Sequence, residues 1–176
     1  MLLSIQQQYI LEVIRKLGYI QRRQLHILLR KRFQQQGREI SEAGMNAMLH
    51  QLRVCCQDVR LDDHSVGMAG IQPDPRRLEA VDVMLELSGD TPVEFHLGPS
   101  TPLLLRFILG GPKVRLFAVA DLSTGSLDTL ERQRMERIVW ISDNGAVPPG
   151  LTLPPKHFFA ARQADGSHRF YGSEEP

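Results

Sequence analysis

The sequence predicts an α+β protein in two parts, and three observations predict it. Apolar residues recur at helical spacing in three short N-terminal segments, and the pattern then changes to extended chain. Beyond a boundary marked by Gly67, Gly70, Pro73 and Pro75, helical stripes alternate with short apolar runs of strand length. The expected organisation is a first domain over residues 1–70, a linker over 71–75 and an α+β domain over 76–176 with a mixed or antiparallel sheet.

In the first segment Ile5, Tyr9, Ile10, Val13, Ile14 and Leu17 fall on one helical face, and Gly18 ends the helix. Tyr19-Ile20 reads as a short extended link. A second helix over 21–33 turns Leu25, Leu28, Leu29 and Phe33 inward, and a polar loop over 34–37 follows. Ser41 then offers an N-cap, and Met45, Met48, Leu49 and Leu52 form the stripe of a third helix ending near Arg53. Residues 54–61 read as extended, 62–64 as a turn and 65–68 as a return strand. Three helices followed by a hairpin is the order of a winged helix-turn-helix, the fold expected for residues 1–70.

In the second part, residues 76–87 read as a helix burying Leu78, Val81, Met84 and Leu85. Strands are expected at 93–97, and at 103–109 and 114–120, the latter two joined as a hairpin through Gly110-Gly111-Pro112. A charged amphipathic helix follows over 126–137, carrying Leu127, Leu130 and Met135. A short strand over 138–141 holds Trp140 among apolar neighbours, which reads as core. A last hairpin joins 157–162 to 168–171 around Asp165-Gly166.

Composition sets the class. Apolar residues make up 42% and charged residues 23% of the 176, as in an ordinary globular chain. No apolar run approaches the ~20 residues of a membrane span, and the first residues lack a signal-peptide pattern, so a cytoplasmic protein is expected. Cys55 and Cys56 are adjacent, which disfavours a disulfide scaffold and agrees with a reducing compartment. Charge is uneven: residues 1–61 hold ten Lys and Arg against four acids, a local +6 in a chain whose net charge is +1. The basic part is expected to meet an anionic partner.

Helix three has the properties of a DNA reader. Its apolar stripe is narrow, and a turn of about 100° per residue places Ala43, Asn46, Ala47, His50 and Gln51 away from the core. Asn46 and Gln51 are side chains able to pair bidentately with adenine, while Ala43 and Ala47 permit close approach or contact with a thymine methyl. Glu42 beside them opposes phosphate, and the same face could be simply solvated. Arg22, Arg23, Arg30, Lys31 and Arg32 of helix two, with Arg53 and Arg60, are the expected phosphate contacts, although they cannot all share one face.

Catalytic signatures are sparse. Neither a phosphate-cradling GxxxxGK[ST] nor a GxGxxG motif occurs, and the histidines and cysteines lack zinc-ligand spacing, so neither a cofactor nor a metal is expected. A magnesium nuclease would require an Asp and a following acid-x-Lys pair. The nearest approach, Asp82 with Glu94-Phe95-His96, has His where Lys is required, and the other reading of Asp82 and Glu94 is as surface acids.

Around Leu17-Gly18-Tyr19-Ile20, Gln24-Leu25 and helix three, the chain resembles the winged-helix N-terminus of the replication-relaxation proteins of plasmids and conjugative elements. The stretch from Leu78 through Glu79, Asp82 and Glu86 to Leu87, with the strand pair after it, resembles a family carried by mobile elements of clostridia and their relatives. The resemblance covers most of the chain and implies duplex DNA binding in a mobile element, regulatory or accessory to replication or transfer. It transfers no catalytic residue. A degenerate nuclease-like C-terminal domain in some relatives fits the missing acid-x-Lys pair. The expected partner is double-stranded DNA, with no membrane, and a homodimer on paired half-sites is compatible with it. The alternative expectation is a protein-interaction module whose partner is a host protein, such as a mobile-element inhibitor of a host defence nuclease (anti-CRISPR-like).

Overall fold

The structure is a computed structural model that describes residues 2–99, 101–124, 130, 133–143, 153 and 156–172. The fold is mixed α+β, with four α-helices and two sheets among these residues. The chain divides into two compact units, Met1–Leu78 and Glu79–Pro176.

The N-terminal unit begins with α1 (Ile5–Leu17), whose capping box is made by Ser4 and Gln7. Ile10, Leu11, Val13, Ile14 and Leu17 are buried, whereas Ile5, expected on the buried face, is 55% exposed in the first turn. Gly18 closes the helix at φ 74°, its N–H donating to Ile14 O at 2.8 Å. The positive φ favours glycine, and a Cβ there would also stand 2.8 Å from Ile71 Cγ2, a half-exposed side chain that would have to move aside.

The expected link Tyr19-Ile20 is a strand, β1 (Tyr19–Gln21), followed by α2 (Arg22–Gln34) and α3 (Glu42–Cys55). Ser41 caps α3 by accepting from Gly44 N at 3.1 Å. The hairpin is β2 (Val59–Leu61) and β3 (Ser65–Met68), and β3 lies centrally in an antiparallel order β1-β3-β2. Ile20 and Leu61 both register against Val66.

The extended reading of 54–61 is corrected at its start. Val54 and Cys55 complete α3, and Cys56 N–H still donates to Leu52 O at 2.7 Å. With Met45, Leu49 and Leu52 all buried, the helix is already nucleated and adds two residues of β-favouring type at little cost.

The C-terminal sheet is mixed. After α4 (Pro75–Ser88) come β4 (Val93–Leu97), β5 (Leu103–Leu109), β6 (Arg115–Asp121), a short 3-10 turn (Leu122–Thr124), β7 (Arg137–Ser142), β8 (His157–Arg162) and β9 (His168–Gly172). They lie side by side in chain order. The pairs β4–β5, β5–β6 and β8–β9 are antiparallel, while β6–β7 and β7–β8 are parallel. Leu103, Ala118, Ala120, Leu122, Ile138, Trp140 and Phe159 form one cluster, with Leu130 and Leu153 packed on it. Leu122 and Leu130, between β6 and β7, and Leu153, between β7 and β8, thus meet on one cluster.

Two expectations change here. Of the helix expected over 126–137, residues 126–129 and 131–132 lie outside the described residues, and the remainder is not helical. Arg134-Met135 turn, with Met135 at φ 66° and 67% exposed, and Arg137 opens β7. The turn is fixed by Glu136, whose buried carboxylate accepts from Gln133 N at 3.0 Å and from Arg106 Nε at 2.8 Å. In α4, burial runs from Glu79 through Leu85 without a polar stripe, so Asp82 is buried and not a surface acid. Glu94 on β4 is exposed. No helix among the described residues is long and apolar enough to cross a membrane.

A candidate nucleic-acid interface

The buried stripe of α3, Met45, Leu49 and Leu52, fixes which residues face out. At about 100° per residue, Ala43, Ala47, His50 and Val54 form the outermost ridge. All four are exposed. Asn46 and Gln51 flank this ridge on opposite sides, Asn46 half-buried and Gln51 exposed.

Each flanking amide is engaged by a neighbouring helix. Arg22 Nη1 donates to Asn46 Oδ1 at 3.4 Å, and Gln7 Nε2 donates to Gln51 Oε1 at 2.7 Å. Each carbonyl oxygen thus accepts one bond from a neighbouring side chain and, with two lone pairs, keeps capacity for a second acceptor bond.

The start of α2 meets the hairpin turn. Arg22 N donates to His64 O at 2.8 Å, and Tyr19, Arg22, Arg23, Asn46, Asp63 and His64 are among the residues lining a cleft of about 490 Å³. Glu42 also lines it, so the cleft carries charge of both signs. Arg22 Nε is buried without a hydrogen-bond partner among the described residues. A buried donor without an acceptor costs about 1–3 kcal/mol, so the guanidinium retains a donor that an acceptor would satisfy. The turn is held by Asp62, which accepts from His64 N at 2.9 Å and Ser65 N at 2.7 Å and is also bonded to Ser65 Oγ. The Ser65 hydroxyl, the backbone donors of His64 and Ser65, and the Arg22 charge outweigh partial desolvation and hold the Asp62 carboxyl below its ordinary pKa.

The remaining basic residues diverge. Lys31, expected to contact phosphate, is buried, because the face of α2 that turns Leu28 inward also carries residue 31. Arg30 is exposed beside Gln34 and the loop 37–40, and the guanidinium of Arg32 stands 6.0 Å over the Tyr9 ring. Arg23 Nε donates to Gln21 Oε1 at 2.9 Å. Arg53 is exposed on α3, and Arg60 is exposed on β2 with Nη1 donating to Gln57 O at 2.6 Å. The structure thus brings Arg22 and Asn46 together at the cleft and turns Arg30, Lys31 and Arg32 in three directions.

Gln7 is the participant that the periodicity concealed. It lies on α1, reads as a polar spacer and is buried. The signal that reveals it is the capping box Ser4-x-x-Gln7, which turns the Gln7 side chain back toward the start of its own helix. No protein-family model, curated protein or solved structure matches the chain.

Proposed function

We propose that the N-terminal unit is a winged helix-turn-helix that binds duplex DNA, with α3 entering the major groove and β2–β3 as the wing. The observation that carries this is the order α1-β1-α2-α3-β2-β3 closed by a sheet ordered β1-β3-β2, which leaves one face of α3 uncovered. The small residues Ala43 and Ala47 on that face allow the helix axis to approach base edges closely. Arg22 and Arg23 at the start of α2, with Arg53 and Arg60, supply phosphate contacts. The resemblance at Leu17-Gly18-Tyr19-Ile20 supports a mobile-element setting, and genome access together with reduced thiols supports a cytoplasmic one.

Electrophoretic retardation of duplex DNA tests this. Binding should weaken steeply with salt, and Arg22→Ala and Arg53→Ala should each reduce the slope of log K against log salt by about 1. Absence of retardation at low salt would remove the proposal. A second reading, a protein-docking module such as an inhibitor of a host defence nuclease, is favoured by Val54, which continues the α3 ridge and is 80% exposed. It predicts a complex with a host protein that survives nuclease treatment and is lost in Val54→Asp, with no retardation of DNA.

A further inference from the structure

The end of α2 positions two arginines at a second cleft of the N-terminal unit. Gly37, at φ 68°, reverses the chain: its N–H donates to Gln34 O at 2.9 Å, and Arg38 N–H donates to Phe33 O at 3.2 Å. This pair of bonds closes a helix on a left-handed residue and fixes the residue that follows it. Arg38 is thereby brought back beside α2, where it lines a cleft of about 330 Å³ together with Arg30. The other end of the loop is anchored by Ile40, which is buried and whose carbonyl O lies 2.8 Å from His26 Nε2.

Both arginines are exposed, and neither has a hydrogen bond or ion pair among the described residues. Glu39 also lines the cleft without pairing with either, so the lining carries two positive charges against one negative. Two like charges at one cleft repel each other, and an anion between them relieves the repulsion. A guanidinium presents a fork of donors that matches the oxygens of a phosphate. Two such forks, with the Gln34 amide beside them, suit a tetrahedral anion with several acceptors.

The place of the cleft in the chain indicates which phosphate. The loop that carries Arg38 runs through Ile40 into Ser41, the N-cap of α3. A recognition helix presents its first turns to the base edges, so the loop before it comes to the phosphates that rim the groove.

We propose that Arg30 and Arg38 clamp one backbone phosphate of the duplex where α3 enters the groove. This rests on the duplex-binding proposal above and adds Arg38, which helical spacing does not reveal because it lies in the loop. The contact carries no sequence information; it fixes the register of α3 on the duplex.

The test is fluorescence anisotropy of a duplex of about two helical turns, repeated across a range of salt, with circular dichroism to show that each variant is folded. One neutralised phosphate contributes about 0.9 to the slope of log K against log salt, which is about eightfold in affinity at ~0.1 M salt. The double variant Arg30→Ala with Arg38→Ala should lose that amount once. Each single variant should lose less, because the remaining guanidinium still neutralises the phosphate. A loss of about 0.9 from each single variant, and about twice that from the double, shows two separate phosphates and overturns the clamp. Wild-type binding that the double variant leaves unchanged overturns the contact itself, with duplex binding intact. The pair Arg15→Ala with Lys16→Ala on α1, which lines a different cleft, removes the same net charge and should leave the slope in place. An equal fall there assigns the effect to overall charge and also overturns the clamp. A wild-type protein that binds no duplex at low salt removes the duplex-binding proposal itself.

Discussion

The two units use polar side chains in opposite ways. In the N-terminal unit, Gln7 with Gln51 and Arg22 with Asn46 form bonds at the edge of an exposed helix, at 2.7 and 3.4 Å. In the C-terminal unit the comparable bonds are taken inside. His168 is buried with its Nδ1 2.8 Å from Glu86 Oε1 and its Nε2 3.4 Å from Glu79 Oε1, joining β9 to α4. Burial alone would lower the His168 pKa, but hydrogen bonds to Glu79 and Glu86, together with their charge, outweigh it and raise the pKa above its ordinary value. Only the protonated ring carries a donor on each nitrogen to match both carboxylates. Neutral-acceptor bonds of the first kind, at the edge of an exposed helix, contribute about 1 kcal/mol each, whereas a buried ion pair costs heavily when one partner is removed.

The largest effect that would break this contrast lies at His168. Replacing it with Leu leaves Glu79 buried without its histidine partner, and a loss of about 3–5 kcal/mol is expected from denaturant unfolding. Trp140, the sole tryptophan and fully buried, reports this unit by fluorescence. The same triad gives a pH dependence. Because the folded-state pKa of His168 is raised, its stabilising contribution is complete below the unfolded value of 6.5 and is lost as pH rises through the folded value. The unfolding midpoint read from Trp140 should therefore fall as pH rises above 6.5, and His168→Leu should flatten that dependence. A smaller effect is expected at Leu49, fully buried beneath α3: Leu49→Ala should cost about 2–5 kcal/mol, read from circular dichroism at the helix band. At the surface, Asn46→Ala should change stability by no more than about 0.5 kcal/mol while weakening duplex binding.

Much of this architecture was legible because periodicity records burial. The stripes Leu25, Leu28, Leu29, Phe33 and Met45, Leu49, Leu52 point inward as their spacing requires, and the strands at Val93–Leu97 and Leu103–Leu109 lie where alternation and apolar runs end at Gly and Pro. What escaped was set by partners distant in sequence. Tyr19–Gln21 is too short to announce a strand and becomes one only by pairing with Ser65–Met68. Asp82 reads as solvated because charge normally is, yet α4 is buried around its whole circumference there. Spacing correctly placed Asn46 and Gln51 away from the core, but their chemistry depends on Arg22 and Gln7, 24 and 44 residues away in the chain. A helical wheel gives the direction of a side chain and not which of its atoms is already bonded.

The central claim concerns α3, and amide chemical-shift mapping during titration with duplex DNA addresses it most directly. Duplex binding predicts that the largest shifts fall at Ala43, Asn46, Ala47, His50 and Gln51, with Arg22, Arg23 and Arg60 beside them, and that Trp140 and its strand neighbours stay unmoved. Shifts concentrated in β4–β9, or none at saturating duplex in low salt, would contradict it.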